Sequence, residues 1–185
     1  MRVFLAVELP HDICATLSRG LDALKRSGPP ARWVRAEGVH LTLKFLGELP
    51  EATVEELGRR AGEALRSLGP VEVQLGGTGF FPNEHRARVA WVGGRAPGME
   101  AWAAALDEVA ANLGVAGEER PFAIHLTLAR LDHPWPAPVA ERFKGEVGRW
   151  SLPAFVAGEV TLFQSDLQRG GAVYRVVNRF AVGGV

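Results

Sequence analysis

The tetrapeptide His40-Leu41-Thr42-Leu43 recurs as His125-Leu126-Thr127-Leu128. Each copy lies in an apolar run with strand character, and in a strand alternate side chains share a face. His40 and Thr42 therefore point one way while Leu41 and Leu43 point into a core, and His125 and Thr127 repeat the arrangement. If the repeat reflects two pseudo-symmetric halves, the two His–Thr pairs converge across a cleft. Two imidazoles titrating near neutrality can serve as one general base and one general acid on opposite sides of a reacting centre. Cleavage of a phosphodiester needs that pairing: one group activates the attacking oxygen and the other protonates the leaving oxygen. Two threonine hydroxyls can donate to non-bridging phosphate oxygens as charge builds up. A lone strand histidine is more often a surface or hydrogen-bonded core residue; the doubled motif is what points to catalysis. Zinc ligation fits poorly, because threonine is a weak ligand and the repeat holds no third histidine or carboxylate.

The elements that must position these residues follow from pattern. Arg2 to Glu8 reads as a strand, His11 to Lys25 as a helix with Ile13, Leu17, Leu21 and Leu24 on one face, and Val39 to Leu46 as a second strand. Glu51 to Leu68 reads as a helix; Val71 to Phe80 and Ala87 to Val92 read as strands around a Pro82-Asn83-Glu84 turn. A third helix is expected over Pro97 to Leu113, with Pro97 inside its first turn. Phe122 to Leu131 is strand-like, and a Pro-interrupted stretch holds a short helix near Val139 to Lys144. Strands are expected at Arg149 to Phe155, Glu159 to Ser165 and Ala172 to Val182, the last two joined at Gly170-Gly171. Hairpins with intervening helices indicate an α+β fold with antiparallel sheets. No linker or low-complexity tract divides residues 1–185, which read as a single domain.

Composition bounds the function. The 21 basic and 21 acidic residues give a formal charge of zero, which argues against a protein held on nucleic acid by a broad positive field. A small phosphate-bearing substrate in a locally basic cleft stays compatible. Cys14 is the only cysteine, so neither a disulfide nor a cysteine-based metal cluster is expected. The opening Met1 to Pro10 is interrupted too early for a signal peptide, and no apolar run is long enough to span a bilayer. A cytoplasmic setting is the expectation.

The sequence resembles the two-histidine (2H) phosphoesterase superfamily, and within it the RNA 2′,3′-cyclic phosphodiesterases, also called 2′-5′ RNA ligases. The resemblance runs through Arg2-Val3-Phe4-Leu5-Ala6-Val7, His40 to Glu48, Phe80-Phe81-Pro82, Arg120-Pro121-Phe122 leading into His125 to Arg130, Leu162-Phe163-Gln164-Ser165 and Gly171 to Tyr174. Ile124 departs from the proline expected before the second histidine. The resemblance implies two pseudo-symmetric α+β lobes with antiparallel sheets facing a central groove and helices packed outside. It implies hydrolysis of a 2′,3′-cyclic phosphate end to a 2′-phosphomonoester without metal or other cofactor, and a reverse reaction forming a 2′-5′ bond. It makes His40 the proton donor and His125 the proton acceptor, with Thr42, Thr127 and Arg130 holding the phosphate. The implied partners are RNA ends or nucleotides bearing the cyclic phosphate; a monomer away from membranes is expected.

Strict alternation sets Arg130 on the leucine face, so it needs a bulge or a strand end to reach the cleft. Lys44 shares parity with His40 and Thr42, leaving two readings open: a groove residue or a solvated strand end. Phe81, Trp33 and Trp91 could stack a base, although core packing is the commoner use of such rings. His11, His85 and His133 read as surface residues, and Glu118-Glu119 as a solvated loop. The competing functions are a 2H phosphoesterase for another small cyclic nucleotide, ADP-ribose cyclic phosphate or 2′-5′ oligoadenylate, and a non-catalytic nucleotide- or RNA-binding module.

Overall fold

A computed structural model describes residues 1–168 and 171–184. Arg2–Glu8 forms β1, whose five central residues are all buried. It lies between β3 (His40–Glu48) and β8 (Glu159–Gln168), and β9 (Gly171–Ala181) completes the first sheet in the order β3-β1-β8-β9. The second sheet has the order β2-β6-β5-β4-β7, built from β2 (Arg32–Trp33), β4 (Val71–Phe81), β5 (Val89–Arg95), β6 (His125–Arg130) and β7 (Phe155–Ala157). Every strand pairing is antiparallel. With helices α1 (His11–Ser27), α2 (Glu51–Leu65), α3 (Met99–Ala111) and α4 (Ala137–Val147), the protein is an α+β fold.

The two His-Leu-Thr-Leu strands occupy matching places. β3 pairs with β1 and β6 pairs with β5, and each of those partners pairs onward into its sheet. β3 and β6 also approach one another, so the two sheets meet along the strands that bear the repeat. One hydrophobic cluster runs through both halves, uniting Ile13, Leu17 and Leu21 of α1 with Leu41, Leu126, Leu128, Trp102 and Phe143. The leucines of both tetrapeptides thus anchor a shared core.

Three segments differ from the pattern-based expectation. Residues 149–154 form no strand. Trp150 packs closely against Gly20 of α1, where an added Cβ would come within 2.3 Å of the ring, and Pro153 has no N–H for a ladder. Pro97 lies outside α3: Gly98, with φ of 100°, turns the chain so that the helix starts at Met99. The two-residue β2 carried too little periodicity to be read. The Gly170-Gly171 turn falls partly outside the described residues; the strands leading to it pair up to Gln168 opposite Gly171.

Candidate active site

Six residues of β3 and six of β6 follow one burial sequence: half-buried, buried, half-buried, buried, buried, exposed. The doubled buried step comes from a bulge in each strand. On β3, Thr42 lies opposite Ala6 and Lys44 opposite Leu5, which leaves Leu43 as the extra residue. On β6, Thr127 lies opposite Trp91 and Ala129 opposite Ala90, which leaves Leu128 extra. An extra residue reverses the alternation beyond it. Arg130 therefore returns to the face of His125 and Thr127.

The same reversal turns Lys44 inward, against both readings of its parity. Lys44 is 2% exposed. Its Nζ lies 2.6 Å from Asp107 Oδ1 on α3 and 3.7 Å from Glu118 Oε1, and donates to the Ala116 carbonyl at 2.7 Å. Asp107 also accepts the Glu118 backbone N–H at 3.1 Å, so Glu118 is a tethered loop residue and not merely a solvated one. The Lys44 hydrogen bond holds the Asp107 carboxyl below its ordinary pKa. The strand of His40 is thereby tied to the segment that leads into the strand of His125.

Both histidines are oriented alike. His40 Nδ1 lies 2.8 Å from the Gly38 carbonyl and His125 Nδ1 lies 2.9 Å from the Ala123 carbonyl, each two residues upstream. A carbonyl only accepts, so Nδ1 carries the proton in the neutral ring and Nε2 is left for chemistry. Their surroundings differ. His40 stacks on Phe4 with centroids 4.6 Å apart, meets the Tyr174 edge at 5.1 Å, and has Phe163 at 6.0 Å. Tyr174 also covers Gly38, where a Cβ would lie 3.2 Å from the ring; a side chain there would press on the aromatic packing. Burial pushes the His40 pKa down to about 4, the Gly38 bond opposes that shift, and repulsion from His125 adds to it. That repulsion is felt across the meeting of β3 and β6. His125 faces one ring, the edge of Phe81 at 5.0 Å.

Thr42 and Thr127 are half-buried on the histidine faces. Among the described residues no protein group hydrogen-bonds either hydroxyl. Phe81 touches Trp91 at 5.2 Å as well as His125. The Trp91 ring lies over Gly79, where a Cβ would come within 2.5 Å of it, and its Nε1 is buried without a hydrogen-bond partner among the described residues. Trp33 is partly buried and packs against the core beside Trp135 and Phe143. His11, His85 and His133 are exposed. The aromatic enclosure of His40 was not legible beforehand: Phe4, Phe163 and Tyr174 read as ordinary strand residues, and long-range pairing alone gathers them. Among the described residues no three His, Cys, Asp or Glu side chains are grouped as ligands for a metal ion, and no helix is long and apolar enough to cross a membrane.

The family model of the LigT-like phosphoesterases matches residues 7–91 and 94–174. A Thermus thermophilus protein named RNA 2′,3′-cyclic phosphodiesterase is 33% identical over 192 residues, covering 100% of this chain and 91% of that protein. The crystal structure of a Thermus thermophilus protein superimposes with a TM-score of 0.83 at 30% identity, covering 100% of this chain and 99% of the other. E. coli LigT complexed with 3′-AMP superimposes with a TM-score of 0.76 at 29% identity, over 98% and 97% of the two chains.

Proposed function

The chain belongs to the LigT-like phosphoesterase family, and from that premise we propose that it is an RNA 2′,3′-cyclic phosphodiesterase with His40 and His125 as its acid and base. The observation that carries the reading is the matched pinning of both imidazoles on strands that meet, which leaves two Nε2 atoms for one substrate. Thr42, Thr127 and Arg130 hold the phosphate, and the two halves act as lobes of one domain around it. The names of similar proteins and the 3′-AMP complex of E. coli LigT support a nucleotide or RNA end as substrate.

His125 Nε2 takes a proton from water as the water oxygen attacks phosphorus. The bond from phosphorus to the 3′ oxygen breaks, His40 gives its Nε2 proton to that oxygen, and a 2′-phosphomonoester remains. The pair returns to its starting state by exchanging one proton. Run backwards with a 5′-hydroxyl in place of water, the same steps join two ends through a 2′-5′ bond. His40 is neutral in the free protein near pH 7, because its pKa lies at about 4. The phosphate anion favours its protonated form and loads it only when substrate is present. An imidazolium that burial disfavours then gives up its proton readily to the leaving oxygen.

Phosphorus NMR of 2′,3′-cyclic AMP and of a short RNA ending in a cyclic phosphate, in excess chelator, tests the reading. Wild type is expected to form the 2′-phosphate, and His40→Ala and His125→Ala should each lose roughly 10²- to 10⁴-fold in rate. A 3′-phosphate product would reverse the acid and base, and undiminished turnover by either variant would remove the pair from catalysis.

A further inference from the structure

The outer edge of the second sheet holds, beside Arg130, two further arginines that the two-histidine chemistry does not use, Arg32 and Arg88. β2 runs antiparallel to β6 with Arg32 directly opposite Arg130. Trp33 turns its ring toward Trp135 and Phe143 on the core side, so alternation sets Arg32 on the face that carries Arg130. Like charges directly opposite on one face repel. The protein relieves this only in part. Arg32 Nη2 donates to Asp132 Oδ1 at 2.9 Å, and Arg88 donates to the backbone carbonyl of the same Asp132. Arg32 thus holds the carboxylate of Asp132 and Arg88 its backbone carbonyl, while Arg130 stands opposite Arg32 with no carboxylate of its own among the described residues.

Arg32 is oriented without being consumed. Its side chain is 70% exposed although ion-paired, and the bond to Asp132 uses one of its five N–H donors. The remaining donors can grip an anion at two points. Arg130 stands three residues beyond Thr127, on the order of 10 Å along the strand, and Arg32 stands about 5 Å further to the side. Arg130 can reach back to a phosphate held at the His–Thr pairs. Arg32 lies too far out to share it, and suits the next phosphodiester of an extended chain.

We propose that Arg32, braced by Asp132 and standing opposite Arg130, is a second phosphate subsite for the phosphodiester that precedes the terminal nucleotide. The groove then favours oligonucleotide ends over free cyclic mononucleotides. This rests on the cyclic-phosphodiesterase reading of the groove.

The test compares kcat/KM for 2′,3′-cyclic AMP and for the dinucleotide ApA ending in a 2′,3′-cyclic phosphate, in wild type, Arg32→Ala and Arg32→Lys. Calorimetric binding of the ring-opened products, 2′-AMP and ApA 2′-phosphate, is measured alongside. The ratio of dinucleotide to mononucleotide kcat/KM should fall about tenfold in Arg32→Ala and recover in part in Arg32→Lys, the product affinities moving in parallel. The salt slope of log(kcat/KM) for the dinucleotide should become shallower by about 0.7, as for one lost phosphate contact on a single strand. An unchanged ratio with intact turnover overturns the subsite and leaves the cyclic-phosphodiesterase reading standing. Arg32-dependent dinucleotide binding without turnover keeps the subsite and overturns that reading. Loss of both turnover and selective binding overturns both.

Discussion

His40 and His125 share a sequence motif and a hydrogen-bonding geometry, yet one is enclosed by three rings and the other faces one. For His40 the consequence is thermodynamic. Its folded-state pKa of about 4 lies below the ordinary 6.5, so the unfolded chain binds the proton more readily. Stability should fall as pH drops from about 6.5 to about 4, by roughly 3 kcal/mol, and this loss is complete below that window. Urea unfolding across pH 4 to 7 measures it, and His40→Gln should flatten the curve. Substrate binding supplies a second check. If phosphate loads the His40 proton, a non-hydrolysable phosphate analogue should bind near pH 6.5 with uptake of up to one proton. Calorimetry in buffers of different ionisation enthalpy reads the uptake directly, and zero uptake would place the working proton elsewhere.

The decisive elements are the two bulges. At Leu43 and Leu128 each strand gains one residue, and that single step sends Lys44 inward and sets Arg130 on the strand face of His125 and Thr127. Lys44 then becomes a tie between β3 and the loop before β6. Lys44→Met should lower stability by about 2 kcal/mol, since Asp107 loses its buried partner while keeping some access to water. Asp107 is held below its usual pKa by that lysine, so it contributes stability above about pH 4 that is lost as pH falls through its folded value. The acid-side loss should shrink in Lys44→Met, which equilibrium unfolding at pH 2 to 5 detects. Because the tie joins the supports of both histidines, kcat should fall more than KM rises, and Lys44→Arg should restore part of both effects.

Over the whole molecule the charges cancel, so long-range attraction to nucleic acid is weak and recognition depends on local groups. Hydrolysis of 2′,3′-cyclic AMP should change less than threefold between 50 and 200 mM salt. A protein relying on 6–10 phosphate contacts would lose roughly 10³- to 10⁵-fold in affinity over that range. The same assay in excess chelator should keep its rate within twofold if, as proposed, the acid and base are imidazoles. A strict metal requirement would end the two-histidine mechanism.

Much of this protein was determined by local sequence. Alternation in the two tetrapeptides set which residues enter the core, so the opposed His–Thr and Leu faces were legible from four residues apiece. Apolar spacing at 3.6 residues marked α1 and α2, and β1 was readable to its ends. The tertiary structure decided what depends on partners distant in the chain. Bulges exist only relative to a neighbouring strand, so the sides taken by Lys44 and Arg130 required the registers against β1 and β5. The rings around His40 come from β1, β8 and β9 and lie together only once those strands pair. Pattern alone leaves the two histidines equivalent; the difference in their burial arises from that long-range packing, because desolvation depends on which side chains exclude water in the folded chain.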